Sequence, residues 1–572
     1  MNNLEIADIF ERIADLLEIK GEIIFKILAY RRAAESIRIL SSELSTLSEK
    51  EILDISGIGT AIAQKIHELI STGKLGFLQE LEKEVPPSLI ELLKVQDLGP
   101  KKAALFWKQA GITSLAELEQ AARSGQLSSL SGMGAKSQAH ILAGIEALKQ
   151  EKNRLPIHKA LTIAEKWLEK IQGLRGLKHV EISGSLRRWK PTIGDLDFVG
   201  SSDEPAKVMQ AFLNLKGINT VLSHGNNKTS VETEDGLNLQ FWLQPPERFG
   251  SLLQFVTGSK EHNVRLRELS LKKGLSLSER GFVNQNLKET LCPNEDDVYK
   301  KLGLPYIFPE MREDRGEIQS AIENKLPTLV SIEDIRADLH IHTDWTDGRA
   351  SMEEMVQAAI MRKLKVLAIT DHSIGTNGVK GLNDIRLKEQ MVEFYKIQEK
   401  YKSEITLLLG IEAEILEDGS LDLSEELLSN MDIVLGSLHE HLYQPREIIT
   451  ARLVKAINNP LVDIIAHPGG RELPRTNGAD LNWDEVFKAA RENQVALEID
   501  SNPIHLDMDE IQTRRASELG VIISIDTDSH SPKKFENLKF GVSVARRAWV
   551  NKQSVINTWP TEKIIDWLKN RK

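Results

Sequence analysis

Asp338-Leu339-His340-Ile341-His342, followed by Asp347-Gly348, is the stretch on which the reading of this chain turns. Histidines at i and i+2 of a strand point to one face, so one metal ion can take both. Further candidates follow: Thr370-Asp371-His372, Gly410-Ile411-Glu412-Ala413-Glu414, Gly436-Ser437-Leu438-His439, Ala466-His467-Pro468-Gly469-Gly470 and Ile525-Asp526-Thr527-Asp528-Ser529-His530. Most come after a short apolar, β-type run, which puts them at strand ends, where barrel active sites are built. A lone histidine is ordinarily a core or surface residue. Here eight of the 14 histidines lie after residue 333, and six of those eight sit at expected strand ends. His441 and His505 lack that context and read as ordinary residues. Asp371, Glu414 and Asp526 are candidates for orienting the ligands. Beyond Asp338, β-rich runs alternate with helical stretches, which predicts βα units and a mainly parallel sheet or barrel.

Working outward, 572 residues allow three or four domains. No apolar run is long enough to span a membrane, and Met1-Asn2-Asn3-Leu4-Glu5 does not open a secretory signal. The single cysteine, Cys292, excludes an intramolecular disulfide, and a cytoplasmic chain is expected. The net charge of −11 excludes a uniformly basic nucleic-acid binder. Residues from Glu333 onward hold 30 Lys+Arg against 40 Asp+Glu, and those before it 43 against 44. The acidic excess therefore lies with the candidate metal site, and a near-neutral front half can still carry local basic surfaces.

Residues 1 to about 150 show apolar residues at helical spacing. Three Gly turns punctuate them: Ile55-Ser56-Gly57-Ile58-Gly59, Val95-Gln96-Asp97-Leu98-Gly99-Pro100 and Leu130-Ser131-Gly132-Met133-Gly134. From about Leu155 a helix leads to Val180-Glu181-Ile182-Ser183-Gly184-Ser185-Leu186-Arg187-Arg188, then to Gly194-Asp195-Leu196-Asp197 on a strand. Aspartates at i and i+2 share a face and can hold two Mg²⁺ ions against a triphosphate. Thr229 to Leu243 reads as a hairpin over an Asp235-Gly236 turn.

The C-terminal set resembles the polymerase-and-histidinol-phosphatase (PHP) domain over roughly residues 336–572. The resemblance implies a distorted (β/α)7 barrel with three metal ions, Mn²⁺ or Zn²⁺. The implied ligands are His340, His342, Asp347, His372, Glu412, His439, His467, Asp528 and His530, with Glu412 as a bridge. The Gly turns resemble helix-hairpin-helix elements, whose backbone N–H groups bind DNA phosphates without reading sequence, which assigns Gly57, Gly59, Gly99, Gly132 and Gly134 to DNA contacts. Gly-Ser-x-Arg-Arg with Asp-x-Asp is similar to the nucleotidyltransferase signature, with Asp195 and Asp197 holding Mg²⁺ or Mn²⁺ and Gly184, Ser185, Arg187 and Arg188 binding nucleotide or DNA.

Taken together, the chain resembles the bacterial family X DNA polymerases along essentially its whole length. That implies a multidomain fold: a helical DNA-end-binding domain (1–85), helical fingers (86–150), an α+β palm (151–245), a thumb (246–318), a linker around Pro327 and Glu333-Asp334 (319–335), and the barrel (336–572). It also implies a Schiff-base lysine at Lys65, 5′-phosphate contacts at Lys26 and Tyr30, and thumb contacts at Gly258 and Asn263. The implied partners are gapped duplex DNA, its 3′ ends and dNTPs, in a monomeric enzyme of base excision repair. A small-molecule phosphatase of the histidinol-phosphatase type, with a non-catalytic DNA-binding front half, is the alternative.

One position departs from the family. Leu239-Gln240-Phe241-Trp242-Leu243-Gln244-Pro245-Pro246-Glu247 carries Gln240 where the third catalytic aspartate belongs. A neutral amide supplies no negative charge and takes no proton from a primer hydroxyl, so a weak or absent polymerase is expected. A two-residue turn at Asp235-Gly236 would set Gln240 opposite Val231 and turn Glu232 to the other face.

Overall fold

The computed structural model describes residues 3–571, except 40–43, 54, 56, 94, 96–97, 131–132, 135–136, 139–140, 143, 146–153, 375–378, 474–475 and 477. Gly132, expected among the DNA contacts, lies outside the described residues. The chain divides into two compact units. One comprises Met1–Asn153 with Ile374–Gly381, the other Arg154–Ser373 with Leu382–Lys572.

Among its described residues the first unit carries helices joined by turns and no strand. In α1 (Asn3–Lys20), Ile6, Phe10, Ile13 and Leu17 recur at three- and four-residue steps and are all buried. Phe10 stacks there on Tyr30 of α2 (Ile24–Ile39) with centroids 5.9 Å apart. Next come α3 (Thr60–Thr72), α4 (Gly76–Glu84), α5 (Pro100–Ala110) and α6 (Leu115–Arg123). Gly59 and Gly99 cap α3 and α5 in nearly the same extended backbone, φ −87° and −80°, and neither start carries a side-chain cap. The N–H groups of Thr60 and Ala61, and that of Lys101 behind Pro100, are thus left for an outside acceptor, while Ile62 and Lys102 already donate to the Gly59 and Gly99 carbonyls.

In the second unit α7 (Ile157–Gln172) covers a five-stranded sheet. Its strands are β1 (His179–Ile182), β2 (Asp195–Ser201), β3 (Ile218–His224), β4 (Lys228–Thr233) and β5 (Asn238–Gln244), in the order β1-β2-β5-β4-β3. The short helix α8 (Gly184–Arg187) follows β1. The β4–β5 hairpin corrects the expected register. Thr233 N–H donates to Leu237 O and Gly236 N–H to Thr233 O, with Gly236 left-handed at φ 73°. The loop is therefore three residues, Glu234-Asp235-Gly236, closed by a glycine bulge. The extra residue moves every pair by one: Gln240 faces Ser230, Val231 faces Leu239, and Glu232 pairs with Asn238 on Gln240's side.

Beyond β5 stand α9 (Phe249–Thr257), α10 (Lys260–Lys272) and a three-stranded antiparallel sheet. The segment expected as a linker is tied down, since Val330 N–H donates to Val550 O and Ser331 with Asp334 forms a capping box.

Seven parallel strands follow: β6 (Ala337–Asp338), β7 (Val366–Ile369), β8 (Thr406–Glu414), β9 (Ile433–Ser437), β10 (Ile464–Ala466), β11 (Ala496–Asp500) and β12 (Ile523–Asp526). They pair in sequence order, and a bridge between Ile341 and Ser529 brings the first strand's end against the last, so the barrel is nearly closed. Near-continuous burial on both faces, as in Ile433–Ser437, is what a helix-covered parallel sheet requires. Helix α11 (Leu538–Arg547) packs back toward the five-stranded sheet, whose core runs continuously into that of the barrel.

Candidate functional site

The C-terminal ends of the barrel strands and the βα turns after them bring all nine expected ligands together. Glu412, fully buried on β8, is the hub: His372 Nδ1 lies 2.9 Å from its carboxylate, His467 Nε2 3.0 Å, His340 and His439 Nε2 3.3 Å, and His342 Nε2 3.4 Å. Asp528 meets His342 Nε2 at 3.0 Å, and Asp347 meets His530 Nε2 at 3.0 Å. Three overlapping donor groups result: His342, Asp347, His372 and His530; His340, His342 and Glu412; His372, Glu412 and His439. His342 lies between His372 and His530, each ring 4.3 Å away.

The donor set fits cations. His342 Nδ1 is buried without a hydrogen-bond partner, and His372 Nδ1 and Glu412 Oε2, though 2.9 Å apart, are not aligned to bond each other, a costly arrangement for polar atoms unless an ion takes them. Burial, then the neighbouring His372 and His530, push His342 down to about 3, so its ring is neutral and able to ligate. Burial alone would raise Glu412, but His372, His340 and His439 hold it well below the usual carboxylate range. Two of the expected ligands, His467 at φ 27° and Asp528 at φ 47°, occupy left-handed backbone, as strained functional positions often do.

The supporting residues set ring orientation. His340 Nδ1–H donates to Glu498 at 2.8 Å and His439 Nδ1–H to Glu414 at 2.7 Å, so both rings present Nε2 to the cluster. Asp371 instead fixes the loop before Asp347, accepting from Thr343 Oγ1 (2.6 Å) and Thr346 Oγ1 (2.5 Å). Asp526 accepts from Leu339 N–H at 2.6 Å and steadies the start of the His340 strand. Sequence reading missed Glu498, which also accepts the His467 N–H at 2.6 Å. Its signal was present: Glu498 and Asp500 alternate on β11 as His340 and His342 do after β6. His441 pairs with Glu417 and His505 with the Arg471 carbonyl, outside the donor groups.

The second site is a cleft of about 380 Å³ over the five-stranded sheet, lined by Gly184, Ser185, Arg188, Asp195, Asp197, Gly258 and Asn263 among others. Gly184 is required there: at φ +62° a β-carbon would lie 2.1 Å from Asp197 Oδ2. The Ser185 hydroxyl is buried without a partner, which fits a phosphate acceptor. Burial, then the charge of Asp195, push Asp197 up to about 8, the strain of two close carboxylates awaiting a cation. Gln240 lies beside Asp197 on the ladder, and its Nε2 donates to Asp195 Oδ2 at 2.7 Å. The amide thus occupies a carboxylate oxygen that a cation would use. Asn263 lines the cleft, but its amide bonds Gln254 and the Phe255 carbonyl.

Arg187 is a correction. It was expected among the nucleotide contacts, yet its guanidinium forms a bidentate pair with Glu295, both bonds 2.8 Å, and reaches Thr257 Oγ1. Arg312 and Tyr306 join the same carboxylate at 2.5 and 2.6 Å. Only Arg188 of the two arginines turns to the cleft.

In the helical unit Lys26, Tyr30 and Lys65 gather around Phe77. Tyr30 stacks on its ring at 5.8 Å, and the ammonium groups lie 5.7 and 5.1 Å from its centroid. The neighbouring Phe25 is 79% exposed.

Fold and donor sets define the class: a phosphoryl-transfer protein with a barrel metal centre and a nucleotidyltransferase-type cleft. Comparison with known proteins agrees. Family models match as a helix-hairpin-helix domain (residues 1–75), a SAM-like helix-hairpin-helix tandem (89–146), a DNA polymerase beta thumb (252–313) and a PHP domain (338–502). The DNA polymerase/3′-5′ exonuclease PolX of Bacillus subtilis (strain 168) is 35% identical over 572 residues, covering 100% of both chains. Probable phosphatases of Thermoanaerobacter sp. (strain X514) and Clostridium novyi (strain NT) are 28% and 30% identical, over 41% of this chain and 95% and 94% of theirs. The chain belongs to the PolX family of DNA polymerase/3′-5′ exonucleases.

Proposed function

We propose that the protein is a DNA repair enzyme whose barrel acts as a 3′-5′ exonuclease and 3′-end phosphoesterase, and whose nucleotidyltransferase module binds gapped DNA and dNTPs. The observation that carries the reading is the convergence of the nine expected ligands around buried Glu412, a set in which three donor atoms have no hydrogen-bond partner. The barrel cluster around Glu412 would hold Mn²⁺ or Zn²⁺, and Asp195 with Asp197 would hold Mg²⁺ or Mn²⁺, ions that would lower the pKa of a water and neutralise phosphate charge. The chain's own residues do the rest. Glu498 and Glu414 fix the tautomers of His340 and His439. Glu412 holds the middle of the cluster, and the Gly59 and Gly99 helix starts offer N–H groups to DNA phosphates without reading bases.

Gap filling is weak in this reading. Asp195 and Asp197 remain, but Gln240 cannot accept a proton from a primer 3′-hydroxyl, a loss worth about 10²–10⁴-fold. The corrected register sets Glu232 on the same face, but its carboxylate bonds Asn219 of β3 at 3.2 Å. In the same reading residues 1–85, 86–150, 151–245, 246–318 and 336–572 act as end-binding, fingers, palm, thumb and nuclease domains of a cytoplasmic monomer. Lys65 is the lyase candidate.

Incubation with Mn²⁺ and a labelled gapped duplex, with and without dNTPs, tests this. The expected result is 3′ shortening, with extension at most slight. Release of phosphate from histidinol phosphate alone, with the DNA untouched, overturns it in favour of a small-molecule phosphatase.

A further inference from the structure

The turn after α8 is held from the barrel side. Trp189 sits at φ 54°, a left-handed backbone disfavoured for any residue with a β-carbon. Its indole packs edge-on against Phe540 of α11, centroids 6.1 Å apart. On the same helix Arg547 is almost completely buried. Its Nη1 donates to the Arg188 carbonyl at 2.7 Å and to Glu313 Oε1 at 3.0 Å, and its Nη2 to Glu510 Oε1 at 2.8 Å. Glu313 Oε1 also accepts from Arg188 Nε at 3.0 Å. One barrel arginine therefore grips both the backbone of Arg188 and the carboxylate that aims its side chain. Arg188 Nη1 donates to the Thr257 carbonyl at 2.5 Å, and Nη2 meets no partner among the described residues, on a guanidinium that lines the cleft with Ser185, Asp195 and Asp197.

We propose that Arg547 is a positioning residue of the cleft: through Glu313 and the Arg188 carbonyl, the barrel presets the Arg188 fork for the phosphates of a nucleoside triphosphate. An arginine fork binds phosphate well only when its plane is aimed, and a side chain fixed beforehand loses no rotamer freedom on binding. Charge sharing matters as well. Glu313 paired with Arg188 alone would neutralise it. With Arg547 on the same oxygen and Lys190 3.9 Å from the other, positive charge remains for the ligand. This inference rests on the cleft being a nucleotide site.

The test is equilibrium binding of a fluorescent dATP analogue to the full-length chain, with exonuclease activity measured on the same preparations. Arg188→Ala weakens binding about 10–100-fold, the worth of a charge-assisted hydrogen bond. Arg547→Met weakens it about tenfold while the exonuclease rate stays within about twofold, and Arg547→Lys recovers part of the loss. In the Arg188→Ala background Arg547→Met adds nothing, since it acts only through Arg188. Glu313→Gln lies outside the barrel, breaks the same chain and decides alone if Arg547→Met misfolds. Unchanged affinity in Arg547→Met and Glu313→Gln, or an equal loss with and without Arg188, overturns the proposal while leaving the cleft a nucleotide site. A wild-type chain that binds no analogue overturns both.

Discussion

The barrel and the five-stranded sheet solve the same local problem with the same device, two ligands at i and i+2 of a strand aimed to one face. They differ in redundancy. The barrel surrounds His340 and His342 with five further residues in donor groups, adds His467 beside Glu412 and Asp528 beside His342, and steadies two of its rings with carboxylates. The sheet has Asp195 and Asp197, with the Gln240 amide bonded to Asp195. A site with many ligands and supports keeps its chemistry when one element drifts. A site with three acids loses a charge, a ligand and a base in one replacement.

The sharpest way to break this comparison is Gln240→Asp. Restoring the acid on β5 should raise templated primer extension by about 10²–10⁴-fold with the exonuclease unchanged. No gain would mean that something other than the missing acid limits the cleft.

The next effect concerns the ion-pair cluster that joins sheet to thumb. Burial raises Glu295, but Arg312 and Arg187 outweigh it and hold the carboxyl at about 2, against an ordinary 4.5. The unfolded chain therefore binds the proton more readily. The stabilisation is fully present above about pH 4.5 and is lost as pH falls toward 2, on the order of 3 kcal/mol in all. Acid unfolding followed by hydrogen exchange in α9 should show this window, and Glu295→Gln should abolish it while lowering stability at neutral pH. An unchanged acid profile in the variant would remove Glu295 from the account.

The smallest effect sharpens the barrel side. Glu498→Ala frees the His340 ring and the His467 N–H, and should cost about 10–100-fold in metal affinity or exonuclease rate, with nucleotide binding unaffected. Full activity would show that the cluster needs no such support.

These contrasts also mark what could be read from the sequence. The convergence of the nine expected residues was legible because strand alternation and strand ends are local patterns, and the parallel sheet follows from alternating βα runs. Glu498 was legible by the same alternation and was passed over because it ligates nothing itself. The hairpin register was not legible: Asp235-Gly236 suits a two-residue turn and a three-residue bulged loop alike, and only Gly236's left-handed pairing decides between them. Nor could Arg187 be told from Arg188. Their separate fates depend on Glu295 and Glu313, more than a hundred residues away.

The bridge from Ile341 to Ser529 has a consequence in time. The first and last ligands of the cluster, His340 and His530, leave the ribosome far apart, at about 5–20 residues per second roughly 10–40 s. Throughout that interval the nascent chain already carries the whole sheet and its DNA-binding helices, but no complete nuclease. The capacity to degrade a 3′ end is thus made after the helix-hairpin-helix elements and the five-stranded sheet that precede it in the chain.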